Sequence, residues 1–439
     1  MPFNSFGLHP DLVRAVKDLG FLQPTPIQKD AMPPALLGRD VLACAATGSG
    51  KTAAFGLPIL QRLLGKPRGK TRVLILTPTR ELCAQIDEHL ADLARHTSVT
   101  SAAVYGGVGF GPQQKAMEGG VDIVVATPGR LLDHFRYPYA RLQNLEVLVI
   151  DEADRMLDMG FLPDIHRILQ RVPERRQTLF YSATLPPPIV GLTRELLKNP
   201  VQINIVRQAR PAAGITHSIY PVSQSLKSAL LVEIVKGKDI RNALVFTRTK
   251  RRADRVADYL KRCGVSVARI HGDRSQAQRT QAMEGFKRGR YRVLVATDVA
   301  ARGIDIDALS HVINYDLPGG PDDYVHRVGR TARAEATGDA FTFVTPEEER
   351  DLQDIERALT CRIPRIVLPG FDYTVIESSF ASSSGERGRH QRSGGNSGKW
   401  RGQRNAQRRG SGEASQSSSG RPWERTNWEP SHAGQTAAN

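Results

Sequence analysis

The sequence has few cysteines, few aromatic residues and no long apolar run. Its four cysteines (Cys44, Cys83, Cys263 and Cys361) are scattered and form no Cys-x-x-Cys pair. This spacing argues against a disulfide framework or a zinc site and fits a reducing cytoplasm. Uncharged apolar runs such as Val147–Ile150 are far shorter than the ~20 residues of a membrane-spanning helix. The N-terminus has no basic segment followed by an apolar stretch, so we expect no signal peptide, no membrane association and a cytoplasmic location.

Basic residues, by contrast, are abundant. The 439 residues include 61 Lys or Arg against 45 Asp or Glu, a formal net charge of +16, and the sequence pI is about 9.9. Hydrophobic residues make up 40%, which is typical of globular chains and suits two or three folded units. Because a membrane partner is disfavoured, a surplus of this size indicates nucleic acid as the polyanionic partner.

The composition changes abruptly near the C-terminus. Residues 381–439 contain no Ile, Leu, Val, Met, Phe, Tyr or Cys, and their ten Lys or Arg against four Glu leave a net charge of +6. Such a segment cannot bury a core, so we expect residues 371–439 to form a disordered, basic tail rich in Arg, Gly and Ser. The three tryptophans (Trp400, Trp423 and Trp428) lie in it among Arg-Gly pairs, which suits loose binding of single-stranded nucleic acid. The alternative is an inert, solvated linker.

The rest of the chain alternates between short, apolar, β-branched runs and segments with helical spacing. Strands that are apolar on both faces and separated by helices predict parallel sheets covered by helices on both sides. The predicted strands form two series: 41–45, 73–77, 122–126, 145–150 and 177–181, then 243–246, 265–270, 292–296, 311–315 and 340–344. The series breaks at 207–216. We therefore predict an α/β chain with domains at 1–206 and 217–370 and a linker at 207–216.

A glycine-rich segment follows the first predicted strand. Ala45-Ala46-Thr47-Gly48-Ser49-Gly50-Lys51-Thr52 matches a phosphate-binding loop except at its first residue. Gly48 and Gly50 let successive backbone N–H groups turn toward phosphates. Lys51 would meet the β/γ oxygens, and Thr52 would hold Mg²⁺ at the start of a helix whose dipole favours an anion. An ordinary tight turn is the alternative interpretation.

A pair of carboxylates ends a later strand, in Leu148-Val149-Ile150-Asp151-Glu152-Ala153-Asp154. The carboxyl ends of parallel strands are where α/β sheets bind ligands. Asp151 would hold the metal through water, and Glu152 would orient and deprotonate the water that attacks the γ-phosphate. An acidic cluster favoured by a helix dipole is the alternative; the phosphate-binding loop upstream argues against it.

Asp-Glu-Ala-Asp is also the point at which the chain, from about residue 3 to 369, resembles the DEAD-box ATP-dependent RNA helicases. Further motifs occur in that family's order: Gly20-Phe21-Leu22-Gln23-Pro24-Thr25-Pro26-Ile27-Gln28, with Phe3 17 residues upstream of Gly20; Pro78-Thr79-Arg80-Glu81-Leu82; Gly106-Gly107; Thr127-Pro128-Gly129-Arg130; Ser182-Ala183-Thr184; Val245-Phe246-Thr247-Arg248-Thr249; Gln276-Ala277-Gln278-Arg279; 296–305; and 326–333. Ala45 is the family's own variant of the loop. The short N-terminus, compact core and basic tail most resemble the bacterial RhlE-type subgroup.

The resemblance implies two RecA-like domains, with ATP and Mg²⁺ as cofactors. Gln28 would pair with the adenine edge, since an amide both donates and accepts, and Phe3 would stack on adenine unless it only packs on the core. Arg330 and Arg333 resemble arginine fingers, which bridge phosphate oxygens in the transition state. Asp305 would bind the ribose hydroxyls. The remaining nucleotide contacts implied are Phe21, Ala46, Thr47, Gly48, Ser49, Gly50 and Gly303.

The resemblance also implies coupling and RNA residues. Asp154, Ser182, Thr184 and His326 would relay the state of the ATP site to the RNA site. Small hydroxyls, open backbone N–H groups and arginines bind phosphates and sugars and read little base sequence. The RNA contacts implied are Pro78, Thr79, Arg80, Gly107, Thr127, Pro128, Gly129 and Arg130 in the first domain, with Arg248, Gly272, Thr297 and Asp298 in the second.

The expected activity is local unwinding of short RNA duplexes, driven by RNA-stimulated ATP hydrolysis in a cleft that closes between the two domains. Two alternatives stay open. One is an ATP-dependent DNA helicase or translocase, and the other is a non-catalytic RNA-binding or annealing protein in which ATP is only a switch. Single strands and short duplexes of RNA are the expected partners, together with ribosomal or RNA-decay proteins; the sequence does not name the pathway.

Overall fold

The computed structural model describes residues 2–45, 48–205, 214–237, 240–301, 309–331 and 338–374. Within these ranges, thirteen strands form a sheet of seven strands and a sheet of six, and every ladder is parallel. The first sheet has the order β3-β4-β2-β5-β6-β1-β7, and the second has the order β10-β11-β9-β12-β13-β8. The strands are β1 Val41–Cys44, β2 Val73–Leu76, β3 Ser101–Val104, β4 Ile123–Ala126, β5 Val147–Ile150, β6 Gln177–Ser182, β7 Val201–Asn204, β8 Ile215–Pro221, β9 Ala243–Thr247, β10 Val267–Ile270, β11 Val293–Thr297, β12 His311–Asn314 and β13 Gly338–Val344.

Helices connect these strands. The described helices are α1 Pro10–Asp18, α2 Pro26–Leu36, α3 Lys51–Leu63, α4 Arg80–Ala94, α5 Phe110–Glu118, α6 Pro128–His134, α7 Ala153–Asp158, α8 Leu162–Leu169, α9 Pro187–Leu196, α10 Lys227–Lys236, α11 Lys250–Arg262, α12 Gln276–Lys287, α13 Asp298–Ala301, α14 Pro321–Val328 and α15 Glu349–Leu359, with 3-10 turns at Phe3–Phe6 and Pro346–Glu348. We call residues 2–205 the first lobe and residues 214–374 the second lobe. Both lobes belong to one compact unit.

Each central strand buries both of its faces. In β5, Val147 and Val149 pack into the core on one side of the first sheet, while Leu148 and Ile150 pack into the core on the other side. Successive side chains of a strand point to opposite faces, so an uninterrupted apolar run is what a sheet covered on both sides requires. The second sheet is buried in the same way. The predicted fold class, two RecA-like domains with parallel sheets between helices, is confirmed.

The ten predicted strands are present, but three strands were missed. β3, β7 and β8 each lie at an edge of a sheet, and partly buried or exposed residues interrupt their sequences. An edge strand has a neighbour on one side only, and its weaker burial removes the continuous apolar run that identifies the central strands.

The packed parts of the chain reach beyond two predicted boundaries. β8 begins at Ile215, inside the predicted linker 207–216. Phe371 and Tyr373 pack against the core of the second lobe, although the tail was predicted to begin at 371. Residues 206–213 and 375–439, which carry most of the predicted linker and tail, lie outside the described residues. Among the helices of the described ranges, none combines the length and the apolar character needed to cross a membrane.

Candidate nucleotide and nucleic-acid sites

The loop between β1 and α3 turns through two glycines with positive φ. Gly48 has a φ of 78° and Gly50 one of 93°, a region that residues with a Cβ rarely adopt. A Cβ on Gly50 would also lie 2.6 Å from Nε2 of Gln28, so a side chain does not fit there. The backbone of the loop therefore lies directly against the side chains of Gln28 and Thr25. The predicted contacts Ala46 and Thr47 lie outside the described residues.

A buried lysine and a buried aspartate meet beside this loop. Lys51 opens α3, and its Nζ donates to the carbonyl oxygen of Ala45 at 3.2 Å and lies 3.8 Å from Oδ1 of Asp151. Asp151 directly follows β5, where its N–H donates to the carbonyl of Leu76. Burial raises the pKa of the Asp151 carboxyl to about 6, although the Lys51 ammonium opposes the rise. The nearby ammonium thus offsets only part of the desolvation of this carboxyl group.

These groups fit a magnesium ion. Mg²⁺ prefers oxygen ligands, keeps several waters and is often held by one or two protein oxygens together with substrate phosphates. Asp151 supplies a buried carboxylate, and the partly exposed Thr52 supplies a hydroxyl in the first turn of α3. In the described ranges, no group of three or more His, Cys, Asp or Glu side chains is arranged to hold a metal ion. The site therefore suits a cation that arrives with phosphate oxygens.

Glu152 occupies an unusual backbone position. Its φ is 53°, the left-handed region, just before α7. Its N–H donates to Oδ1 of Asp151 at 3.0 Å, and its Oε2 accepts a hydrogen bond from Nη1 of Arg155 at 2.9 Å. Both side chains of this ion pair are buried. Non-glycine residues in this region are strained and cluster at functional sites, which fits a carboxylate held in one orientation at the end of β5.

Three of the four residues predicted to couple the two sites, Asp154, Ser182 and Thr184, form a connected network in the first lobe. The backbone N–H of Asp154 donates to Oγ of Ser182 at 3.2 Å. Oδ2 of Asp154 accepts from both the N–H and the hydroxyl of Thr184, at 2.9 and 3.0 Å. Oγ of Ser182 donates in turn to the carbonyl of Thr184. The end of β6 is thereby tied to the start of α7, two residues from Glu152.

The second lobe brings His326 and Arg330 close to Arg155 of the first lobe. His326, on α14, and Arg330, just after it, line one small cavity together with Arg155 of the first lobe. Arg330 is buried. Burial, with Arg155 as the next contribution, lowers the pKa of His326 to about 4, so its ring is neutral at neutral pH. The predicted contacts Gly303, Asp305 and Arg333 lie outside the described residues.

The amide of Gln28 is engaged within the chain. Gln28 is buried, 4% exposed. Its Oε1 accepts from the N–H of Thr25 at 2.9 Å, and its Nε2 donates to the carbonyl of Gly50 at 3.1 Å. A primary amide has two N–H donors and two acceptor lone pairs, so one donor and one lone pair are left for adenine. Gln28 therefore connects the predicted adenine site with the phosphate-binding loop.

Phe3 is packed into the first lobe. It is 4% exposed, and its ring centroid lies 6.2 Å from that of Phe6 and 6.3 Å from that of Phe21. Phe21 also contacts the ring of His89. In this arrangement Phe3 offers little ring face to a ligand. The structure thus places it as the packing alternative describes, and its stacking on adenine stays a prediction.

The predicted RNA residues lie at the carboxyl ends of neighbouring strands. In the first sheet, the strands β3-β4-β2 carry them, whereas β5-β6-β1 carry residues predicted to bind the nucleotide or to couple the two sites. In the second sheet the corresponding strands are β10-β11-β9. The residues concerned are Pro78 and Thr79 after β2, Gly107 after β3, Thr127, Pro128, Gly129 and Arg130 after β4, Arg248 after β9, Gly272 after β10, and Thr297 and Asp298 at the end of β11. The residues predicted for the two sites thus lie at different halves of the first sheet.

Several of these side chains have partners within their own lobe. Arg80 lies against Gly107, whose φ is 86°. Arg248 is exposed, and its Nη2 lies 3.7 Å from Glu348. The carboxylate of Asp298 is gripped at both oxygens by Arg327, at 2.6 and 2.7 Å.

Two family descriptions match the chain. The DEAD/DEAH box helicase family matches residues 25–190, and the helicase conserved C-terminal domain matches residues 226–335. The chain is 41% identical over 370 residues to the DEAD-box ATP-dependent RNA helicase CshA of Bacillus cereus, covering 84% of this chain and 70% of the relative. This chain belongs to the DEAD-box ATP-dependent RNA helicase family.

A second relative and a solved structure are also similar to this chain over most of its length. The ATP-dependent RNA helicase DeaD of Buchnera aphidicola is 42% identical over 374 residues; the match covers 85% of this chain but only 62% of that longer protein. The structure of S. cerevisiae Dbp5 bound to RNA and ADP BeF3 superposes with a TM-score of 0.76 at 30% identity, covering 83% of this chain and 95% of that one.

The DEAD-box chain also makes contacts that the sequence did not reveal. Across the lobes, Oε1 of Glu81 on α4 lies 2.8 Å from Nε of Arg279 and accepts from Nε2 of Gln276 at 3.1 Å. Within the first lobe, Arg155 neutralises Glu152. The only sequence signals were the known motifs that contain Glu81, Gln276 and Arg279, and the arginine three residues after Glu152. The lobes of this DEAD-box protein therefore touch beside both predicted sites.

Proposed function

We propose that this chain couples RNA-stimulated ATP hydrolysis to local unwinding of short RNA duplexes. The observation that carries the proposal is the divided nucleotide site. Lys51, Asp151 and Glu152 stand on the first lobe, while His326 and Arg330 approach from the second lobe and line a cavity with Arg155. A site divided in this way is complete only when the lobes are together, so nucleotide binding and lobe closure favour each other.

The proposed chemistry follows from the charges. Mg²⁺, when bound with ATP, neutralises phosphate charge. Lys51 binds the β/γ oxygens, and Glu152 accepts the proton of the attacking water as the bond between the γ-phosphorus and the ADP oxygen breaks. Arg330, with Arg333, stabilises the negative charge on the transferring group. Phosphate departure removes the group that Arg330 contacts, which lets the lobes separate.

RNA would bind along the other half of each sheet. The strands β3-β4-β2 and β10-β11-β9 end in loops with glycines, threonines and arginines, which contact backbone phosphates and sugars without reading bases. We propose that the contact of Glu81 with Arg279 and Gln276 holds the two lobes together on the RNA side of the cleft. His326 and Arg155 would hold them together on the nucleotide side. An RNA strand bent across both lobes would lose its complement, so unwinding would be local.

Phosphate release from ATP tests the proposal most directly. We expect turnover to rise when single-stranded RNA is added and to rise little with DNA of the same sequence. Stimulation by DNA alone would indicate a DNA helicase or translocase. Absence of turnover with ATP binding intact would indicate an RNA-annealing protein in which ATP is a switch.

We also propose that the chain belongs to the RhlE-type subgroup, which its compact core and basic tail support. We propose a cytoplasmic location, with ribosomal or RNA-decay proteins as partners. The four cysteines form no disulfide in the structure, which supports a reducing compartment.

Gln28→Ala is expected to weaken ATP binding by roughly 5- to 150-fold, which corresponds to about 1–3 kcal/mol. Its amide both selects adenine and holds Gly50, so part of the loss would affect any nucleoside triphosphate. The informative measurement is therefore the ratio of the Kd values for GTP and ATP, which should fall toward one. Equal hydrolysis of GTP and ATP by the unmodified protein would contradict the adenine assignment of Gln28.

Removal of residues 381–439 is expected to weaken RNA binding and to reduce its salt dependence, because a net charge of +6 is lost. A matched variant keeps the charge and replaces Trp400, Trp423 and Trp428 by Ala. This variant should keep the salt slope and lose only affinity, since stacking releases no counterions. Titrations of fluorescent single-stranded RNA at several salt concentrations separate the two effects. Superimposable titrations for all three proteins would make the tail an inert solubiliser.

A further inference from the structure

Four ring side chains meet beside the proposed RNA residues of the first lobe. The rings of Phe110 and His134 are stacked, with centroids 4.0 Å apart and planes 12° apart. The rings of Tyr137 and Phe110 form a T-shaped pair with centroids 5.5 Å apart, and Tyr137 lies nearly parallel to Tyr139 with centroids 5.7 Å apart. Aromatic residues make up only 6% of the sequence, so this concentration calls for an explanation.

The inner and outer members of the cluster differ. His134, the last residue of α6, is buried, and its Nδ1 is hydrogen-bonded to the hydroxyl of Tyr139 at 2.8 Å. Tyr139 in turn packs against the core on one side of the first sheet. Tyr137, in contrast, is 50% exposed. Among the large apolar side chains that are exposed in the described part of the chain, it is the only aromatic one. Packing of the lobe does not account for an exposed tyrosine backed by a second ring.

Arg130 connects this ring cluster to the residues proposed to bind the RNA backbone. Nη1 of Arg130 donates to the carbonyl of Val108 at 3.3 Å, and its guanidinium carbon lies 5.6 Å from the centroid of Phe110. Val108 follows Gly107 and is itself 37% exposed. The exposed ring of Tyr137 is therefore connected, through the partly buried Phe110, to two of the proposed backbone contacts, Gly107 and Arg130.

We propose that Phe110, Arg130 and Tyr137, which we call the ring platform, stack an unpaired base of the bound RNA. The inference rests on the proposed function and extends it from backbone contacts to a base. Aromatic faces and guanidinium planes are the surfaces on which proteins stack single-stranded bases, and such stacking tolerates any base. The positive charge of Arg130 and of the exposed Arg136 suits a nucleic acid better than an apolar peptide.

The ring platform would give the enzyme a preference for RNA with a single-stranded extension. A base within a duplex is already stacked and paired, so it cannot use the platform without being unpaired at a cost of a few kcal/mol. An extension supplies a free base, which adds affinity without adding sequence preference. The platform would thus direct the helicase to a duplex beside an unpaired segment.

The test uses the full chain with a non-hydrolysable ATP analogue and single-stranded RNA of fixed length. Tyr137→Ala is expected to weaken RNA binding by roughly tenfold, within the range for loss of one stacked base, while Tyr137→Phe keeps the affinity. The salt slope should not change, because no phosphate contact is lost. A set of RNAs with a single abasic site at successive positions locates the base, since at that position Tyr137→Ala should weaken binding no further.

Tyr259→Ala is the matched control. Tyr259 also has an arginine over its ring, Arg262 at 5.8 Å, but it lies in the C-terminal half of α11, away from the carboxyl ends of the strands. It should leave RNA affinity unchanged. If Tyr137→Ala weakened the binding of normal RNA and of every abasic RNA equally, Tyr137 would have a structural role. If the titrations of Tyr137→Ala and of the unmodified protein were superimposable, the ring platform would be a surface for a protein partner and not for RNA. Either result overturns the proposal. Failure of the unmodified protein to bind RNA would instead overturn the proposed function.

Discussion

Glu152→Gln is expected to bind ATP and to hydrolyse it at least ~100-fold more slowly, because a positioned general base contributes about 10²- to 10⁴-fold. Glutamine keeps the shape of the side chain and an oxygen that accepts from Arg155, but it does not take the proton of the attacking water. Because hydrolysis and phosphate release would then open the closed lobes more slowly, RNA should also dissociate more slowly in the presence of ATP. Steady-state phosphate release and the dissociation rate of labelled RNA measure the two effects.

Glu118→Gln serves as the matched control for this substitution. Glu118 is an exposed glutamate of the first lobe whose carboxylate accepts from Gln114 within α5, so its neutralisation should leave turnover unaltered. Because Glu152→Gln removes the counter-charge of a buried arginine, its thermal unfolding should be recorded alongside. A folded Glu152→Gln protein with turnover within a few-fold of the unmodified chain would refute the assignment of Glu152 as the base.

Arg327→Ala is expected to cost the second lobe about 3 kcal/mol of stability. Arg327 is 3% exposed; it grips Asp298, donates to the side chain of Asn314 at 3.2 Å and to the carbonyl of Asp316 at 2.7 Å, and lies over the ring of Phe246. Truncation leaves a carboxylate and two buried acceptors without their donor, and breaking a buried pair from one side costs about 3–5 kcal/mol. Because Asp298 is partly exposed, we expect the loss of stability to lie at the lower end of this range.

The loss should lower the thermal midpoint of the second lobe by roughly 6–12 °C. Circular dichroism is the suitable probe, since all three tryptophans lie between residues 400 and 428 and do not report on the lobes. Arg357→Ala is the matched control: Arg357 also pairs with an aspartate, Asp354, but both are exposed, and exposed pairs contribute little. Equal midpoints for Arg327→Ala and Arg357→Ala would contradict the structural role of Arg327.

The sequence predicted the interior of both sheets, because strands buried on two faces need apolar residues at every position. Val147–Ile150 is such a strand. Val201–Asn204 is not: among the described strands it pairs with β1 alone, and Gln202 and Asn204 are exposed. Edge strands of this kind are defined by the neighbour that they pair with, which is tertiary information.

The site was predictable to the extent that it consists of loops with local signatures. The turn at Gly48 and Gly50 and the carboxylates after β5 were identified because glycine spacing and strand ends are local properties. The contact of Glu81 with Gln276 joins residues 195 positions apart, and no local pattern indicates it. The sequence likewise assigned the amide of Gln28 to adenine alone, while the structure shows that it also holds Thr25 and Gly50.

The left-handed backbone at Glu152 sets folding against function at one residue. For a residue with a Cβ this conformation costs roughly 1–2 kcal/mol, and glycine adopts it freely. A glycine would thus suit the backbone better at the position where the proposed reaction needs a carboxylate. The ion pair with Arg155 and the hydrogen bond from the Glu152 N–H to Asp151 hold the less favourable residue in place. A single change to glycine would therefore be expected to lose stability as well as turnover, because it removes the counter-charge of the buried Arg155 at a cost of about 3–5 kcal/mol, more than the backbone gains. Stability would rise at the expense of turnover if an apolar side chain replaced Arg155 at the same time.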